Sequence, residues 1–157
     1  MLISTTLYDR LPRRYGDAVT TSLQDLGLLV KRLQMQHHRR INADLAPLGI
    51  SLVQWDALRH LHRHPDASLH DLAVLTFQTD QAFGTLASRM ITRRLIERVA
   101  GPGRAVRHRL TGKGSELLTS AASVVDAALT DSLGALTANE RETLAALLQR
   151  VVREPAT

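Results

Sequence analysis

Residues 68–111 read SLHDLAVLTFQTDQAFGTLASRMITRRLIERVAGPGRAVRHRLT. Ser68 can cap a short helix at the start of this stretch, and after a tight turn Thr79 can cap a second helix that runs to about Arg93. Two short helices joined by a tight turn are the pattern of a helix-turn-helix. We therefore predict that motif at the centre of the chain.

A basic hairpin is predicted directly after these helices. Two short runs that can form strands, at about 95–99 and 105–110, surround a Gly-Pro-Gly turn at 101–103. A helix-turn-helix followed by such a hairpin is a winged helix. Together with the helix before it, this lobe should span about 51–111.

Long amphipathic helices are predicted on both sides of this lobe, over about 17–46 and 112–153. Ser51 with Gln54, and Thr137 with Glu140, give capping boxes for helices that follow them. The first long helix shows an apolar stripe at three- and four-residue steps: Leu23, Leu26, Val30, Leu33, Ile41 and Leu45.

Length and composition fit this architecture. The chain has 157 residues, of which 44% are hydrophobic and only 3% aromatic, so its core should consist of aliphatic side chains on packed helices. We predict one domain over residues 1–157. Its fold class should be mainly α with a small β-hairpin wing.

The charge favours a nucleic-acid partner. Twenty Lys and Arg face 15 Asp and Glu, which gives a formal net charge of +5. The basic residues concentrate at 31–40, 92–98 and 103–109, and the last two segments adjoin the helix-turn-helix. Basic residues beside such a motif indicate binding to double-stranded DNA.

The second helix of a helix-turn-helix enters the major groove with its N-terminal residues at the base edges. Gln81, Thr85 and Arg89 are the predicted base readers, because amide, hydroxyl and guanidinium groups can pair with base edges. For Thr79 and Asp80, capping and the helix dipole are favoured over base contact. The predicted DNA-binding residues of this segment are Gln78, Thr79, Gln81, Thr85, Ser88 and Arg89.

Arginines after this helix should contact the DNA backbone or the minor groove. Arg93 and Arg94 are predicted phosphate contacts, which fix register rather than sequence. Arg104, Arg107 and Arg109 lie on the wing. Because side chains alternate along a strand, Arg107 and Arg109 should share one face and His108 the other.

Five segments in order over residues 20–152 resemble the MarR (multiple-antibiotic-resistance regulator) family: LAPLGISLVQWDAL, SLHDLAVLT, LASRMITRRLIER, LTGKGSELL and LTANERETLAALL. The chain departs from the family pattern at two places. The Asp-x-Arg of the family's wing tip is Pro102, Gly103 and Arg104 here. The glycine that commonly precedes the wing is Arg94.

This resemblance implies a two-fold dimer whose interface is the long first helix and the last two helices. It also implies repression that a small acidic or phenolic effector relieves. The residues support dimerisation independently, since long amphipathic helices outside a small core need a partner to bury them.

An effector pocket and a metal site are two further hypotheses. Met35, His38, Trp55 and Phe83 could line a ligand pocket, although core packing is the favoured interpretation. His37, His60 and His64 could converge on a metal ion or give a pH response, but neither a His-Glu-x-x-His motif nor a cysteine ligand is present. We therefore predict no metal and no cofactor.

The rival functions are an enzyme and a helical protein-interaction module. The sequence has no Gly-x-Ser-x-Gly elbow, no phosphate loop and no cysteine, so catalysis is not predicted. An interaction or sensing module with weakened DNA binding stays open, because the wing is atypical. With no long apolar run and no leader pattern, we expect a cytoplasmic protein without a membrane partner.

Overall fold

A computed structural model describes residues 21–101 and 106–152. The elements in chain order are α1 (Leu23–Leu45), a short 3-10 turn (Ala46–Leu48), α2 (Leu52–Arg63), α3 (Leu69–Leu75), α4 (Asp80–Thr92), β1 (Ile96–Ala100), β2 (Val106–Leu110), α5 (Gly112–Leu133) and α6 (Ala138–Val151). β1 and β2 pair antiparallel. The predicted fold class, helices with a small β-hairpin wing, is confirmed.

The chain divides into two compact units between Leu33 and Gln34, within α1. In the described part of the first unit, every residue is exposed except Leu33, which is half-buried. In the second unit the same apolar stripe becomes buried at Ile41 and Leu45. The prediction of a single domain over 1–157 stays a prediction.

The core of the second unit is aliphatic, as the composition predicts. α2 contributes Leu58, α3 contributes Leu72 and α4 contributes Phe83 and Met90, all of them at most 1% exposed. These side chains recur at helical spacing, so each helix turns one face inward and leaves the other available for function.

Side-chain caps set the helix starts, as predicted. Capping boxes are present at Ser51, Ser68 and Thr137. Thr79 caps α4 by accepting from the backbone N–H of Ala82 at 3.2 Å. Each cap satisfies a donor that the first helical turn leaves without a partner.

The predicted limits need small corrections. The strands are 96–100 and 106–110, because the backbone N–H of Leu95 bonds to the carbonyl of Met90 at 2.9 Å and still belongs to the end of α4. Among the described residues α1 begins at Leu23 and α6 ends at Val151. The predicted segments 17–20 and 102–105, and position 153, lie outside the described residues.

The start of α5 packs tightly against the start of the wing. The Thr111 hydroxyl donates to the carbonyl oxygen of Arg94 at 2.6 Å, and its backbone N–H donates to that of Leu95 at 3.1 Å. A Cβ at Gly114 would lie only 2.0 Å from the Leu95 carbonyl oxygen. Only glycine fits there without a backbone shift.

α6 has an apolar face that the described residues leave uncovered. No residue of α6 is buried, and Leu147 and Val151 are 50% and 73% exposed. This face of α6 is therefore open to solvent in the single chain. Among the described helices, none combines the length and the hydrophobicity that a membrane span needs.

Candidate DNA interface

The turn between α3 and α4 is closed by backbone hydrogen bonds around Phe77. The N–H of Phe77 bonds to the carbonyl of Val74 at 3.1 Å, and that of Gln78 bonds to Ala73 at 2.8 Å. This pattern is a Schellman ending, which requires a left-handed residue, and Phe77 has φ of 55°. No glycine stands at this turn, yet the two helices of the motif form as predicted.

The outer face of α4 is polar and exposed. Phe83, Ala87 and Met90 are buried and anchor the inner face of the helix. The exposed residues on the other side fall at helical spacing and include four of the predicted DNA-binding residues: Gln81, Thr85, Ser88 and Arg89. This stripe gives α4 a continuous surface that can lie in a groove.

Two predicted DNA-binding residues serve the local structure of the turn. Thr79 is the N-cap of α4, which confirms its predicted capping role. The half-buried Gln78 directs its side-chain amide to the carbonyl oxygen of Thr76 at 3.4 Å. Any contact of these two side chains with DNA stays a prediction.

Arg94 stands in a left-handed conformation at the end of α4. Its φ is 57°, and its N–H bonds to the carbonyl of Ile91 at 2.8 Å. This is the position at which the family pattern has glycine, so the backbone keeps the turn although the residue differs. Arg94 is exposed and Arg93 half-buried beside Gly49, so the two arginines differ in their access to a phosphate.

The wing presents its arginines unequally. Arg109 is exposed and forms an ion pair with Glu97 on the opposite strand at 2.6 Å. Arg107 is half-buried, and its charge helps to lower the pKa of Asp71, after the larger effect of the Ser68 hydrogen bonds. Arg104 lies outside the described residues. The predicted alternation is confirmed at His108, which is 2% exposed.

In the described structure, two buried histidine Nδ1 atoms have no hydrogen-bond partner. They belong to His60 on α2 and His108 on β2. Burial lowers the pKa of both side chains, and the nearby charge of Arg98 lowers that of His108 further. Both rings are therefore neutral at neutral pH. A buried neutral His108 fixes the wing against the core rather than contacting DNA.

The predicted ligand-pocket residues do not form one site. Phe83 is 1% exposed within the core on the inner face of α4, as the favoured interpretation of core packing expects, and its part in a ligand pocket stays a prediction. Met35 and His38 are exposed, and Trp55 is half-buried under the guanidinium of Arg59, 5.3 Å from its ring centroid. A cavity of about 300 Å³ lies elsewhere, lined by Gln36, His37, Arg39, Arg40, Ala128, Asp131 and Ser132.

The three candidate metal-binding histidines have other neighbours. His37 Nε2 lies 2.6 Å from the hydroxyl of Ser132. His60 and His64 stack with ring centroids 6.1 Å apart, and Asp56 lies 3.5 Å from His60. Within residues 21–101 and 106–152, no three side chains of metal-binding type come together.

One pair at the entrance to α4 escaped the sequence analysis. His70, at the start of α3, lies with Nδ1 2.9 Å and 3.1 Å from the two carboxylate oxygens of Asp80, the first residue of α4. No sequence signal marks this pair, because its formation depends on the angle at which α3 meets α4.

The order of the helices, the β-hairpin after α4 and the exposed polar face of α4 define a winged helix-turn-helix protein with a polar recognition helix. A family model described as MarR family matches residues 48–105. The HTH-type transcriptional repressor Rv2887 of Mycobacterium tuberculosis is 30% identical over 128 residues, which cover 80% of this chain and 92% of that repressor. The chain belongs to the MarR family.

Solved structures agree with this assignment. A crystal structure of Rv2887 with salicylic acid superposes with a TM-score of 0.68 at 30% identity, covering 81% of this chain and 96% of that one. A complex of Rv2887 with DNA gives a TM-score of 0.68 at 29% identity, covering 82% and 98%. A mutant of E. coli MarR with operator DNA gives 0.73 at 24% identity over 82% and 94%, which supports the fold.

Proposed function

We propose that this protein is a sequence-specific, DNA-binding transcriptional regulator that acts as a homodimer and is released from DNA by a small ligand. The observation that carries the proposal is the exposed polar stripe on α4, with Gln81, Thr85 and Arg89 on the side opposite to the core. Hydroxyl, amide and guanidinium groups on one helix face can read base edges in the major groove. Membership of a repressor family supports the same function.

The surfaces around α4 supply contacts to the DNA backbone. Arg94 at the end of α4 is exposed, and the wing places Arg107 and Arg109 on one face of β2. Arg109 already has a carboxylate partner, so its charge is partly neutralised. We therefore assign Arg94 and Arg107 the larger contributions to phosphate binding, with Arg93 secondary.

A second copy of the chain would cover the apolar residues that this chain leaves exposed. Leu147 and Val151 on α6 are exposed, and so are Leu23 and Leu26 in the first unit. A two-fold dimer would present two recognition helices to a pseudo-palindromic operator, with half-sites about one helical turn apart. Single-domain organisation over 1–157 is part of this proposal.

The cavity lined by His37, Arg39 and Arg40 is the proposed effector site. Its volume of about 300 Å³ is at the lower end of what small-ligand sites occupy. Arg40 is held by Asp44 at 2.6 Å and by Asp131 at 2.9 Å, so a carboxylate ligand would compete with these partners. Rv2887 has been crystallised with salicylic acid, which supports a small aromatic acid as the class of effector.

Two arginine substitutions test this assignment of roles. Arg89→Ala should lower the binding free energy for the operator by about 1–3 kcal/mol and change that for random DNA little, because it removes a base contact.

Arg107→Ala should weaken binding to both DNAs alike and reduce the salt slope by about one, because it removes a phosphate contact. Fluorescence anisotropy on operator and scrambled duplexes, at several salt concentrations, measures both.

Arg63→Ala is the matched control, since Arg63 is exposed at the end of α2, outside the proposed interface. It should leave affinity and salt slope close to those of the unmodified protein. Equal losses on operator and scrambled DNA for both Arg89→Ala and Arg107→Ala would exclude base reading by α4.

A further inference from the structure

His70 and Asp80 form an ion pair where two helices of the motif begin. The His70 ring nitrogen contacts both oxygens of the Asp80 carboxylate, at 2.9 Å and 3.1 Å. Both side chains are largely exposed, 69% for His70 and 65% for Asp80. The pair therefore links α3 to the first turn of α4 at a surface that solvent and ligands can reach.

The position of Asp80 poses an electrostatic problem for DNA binding. A carboxylate in the first turn of α4 stabilises the helix through the helix dipole. The same negative charge repels phosphate when the N-terminus of α4 enters the groove. A positive charge on His70, in contact with Asp80, would cancel that repulsion and keep the dipole interaction.

The surroundings of His70 favour its charged form. Asp80 faces it from α4, and Asp71 from its own helix; the hydrogen bond and charge of Asp80 are the main reasons that the pKa of His70 is raised. His70 and, more weakly, Arg107 on β2 also act on Asp71, whose carboxylate caps α3 by accepting from the Ser68 N–H at 2.7 Å. Asp80 is the carboxylate in direct contact with the His70 ring, so the charge of that ring acts most strongly on Asp80.

We propose that His70 is a positioning residue for DNA recognition, and that operator binding takes up a proton on the His70–Asp80 pair. The inference rests on the proposed function and adds to it a proton-linked step at the recognition helix. DNA phosphates near the pair stabilise the protonated ring further, so the complex holds the proton more tightly than the free protein does.

Linkage fixes the direction of the pH effect. The pKa of His70 is higher in the complex than in the free protein, where it is already raised above its ordinary value. As the pH falls through the pKa of the complex, operator affinity rises by at most tenfold per pH unit. The gain is complete once the pH is below the pKa of the free protein.

Four proteins compared by anisotropy on one operator duplex, from about pH 6 to pH 9, test the proposal. The unmodified protein should bind roughly tenfold more tightly at the acidic end. His70→Arg should bind tightly at every pH because its charge is permanent. Asp80→Asn should bind more tightly than the unmodified protein at the alkaline end, because no carboxylate is left there to repel phosphate. His70→Gln should bind weakly throughout, with a flattened profile.

His62→Gln is the control, since His62 is an exposed histidine on α2, and it should keep the full pH slope. An NMR titration of the His70 ring in the unmodified protein adds a measurement that does not depend on variants folding. The pKa of the ring should rise when operator is added.

A full pH slope in His70→Gln, or a His70 pKa that operator leaves unmoved, would overturn this inference while DNA binding itself still stood. Failure of the unmodified protein to bind any DNA specifically at any pH would overturn the proposed function as well.

Discussion

Gly114→Ala is expected to lower the free energy of unfolding by about 3 kcal/mol, a large part of the stability of a domain of this size. A Cβ at this position would lie 2.0 Å from the carbonyl oxygen of Leu95 and 3.0 Å from its carbonyl carbon. Both are backbone atoms, and Leu95 is fully buried, so no side-chain rotation relieves the clash. Either α5 or the start of the wing must move. Urea denaturation followed by circular dichroism measures the loss.

Gly112→Ala is the matched control, two residues earlier in the same helix. A Cβ there would meet no atom within 4 Å. Alanine should be neutral or stabilise the protein by up to about 1 kcal/mol, because glycine is the poorer helix former. Equal midpoints for the two variants would show that the helix does not approach Leu95 as closely as the structure has it.

Leu147→Glu combined with Val151→Glu is expected to convert the protein to a monomer and to weaken operator binding by about a hundredfold or more. The two residues lie four apart on one face of α6 and are 50% and 73% exposed, so the charges should not disturb the fold of the single chain. In a dimer, however, the added carboxylates would be buried without partners, which destabilises the interface. A monomer also loses the gain that comes from engaging two half-sites at once. Analytical ultracentrifugation and anisotropy measure the two effects.

Ala145→Glu combined with Gln149→Glu adds the same charge to the same helix, roughly 200° away around its axis. Both positions are exposed. This variant should remain a dimer and bind operator normally. A dimer that persists in the Leu147 and Val151 variant would show that α6 does not form the interface.

The sequence predicted the helices well because capping residues close in the sequence mark where they start. Ser68 and Thr79 sit where a hydroxyl can accept from a backbone N–H three residues later, and the structure shows both caps. The apolar spacing likewise predicted the stripe of α1, which is buried at Ile41 and Leu45. Capping and periodicity are short-range signals, so one chain is enough to read them.

Such short-range signals could not predict the turns or the side-chain pairs between different helices and strands. Phe77 and Arg94 adopt left-handed conformations that are typical of glycine. Neither residue type therefore indicated that a helix ends there. The Glu97–Arg109 pair depends on strand register, and His70–Asp80 depends on the angle at which α3 meets α4. Only tertiary structure fixes these quantities. The site therefore includes His70, which no sequence motif marked, and Asp80, for which only capping and the helix dipole were predicted.

Specific recognition of DNA by α4 and the wing can be measured by fluorescence anisotropy of the unmodified protein. A labelled duplex from upstream of its own gene should be bound tightly, should resist scrambled competitor DNA and should be released as the salt concentration rises. Weak binding of equal strength to the upstream and scrambled duplexes, at both low and moderate salt, would show that α4 and the wing do not read DNA specifically.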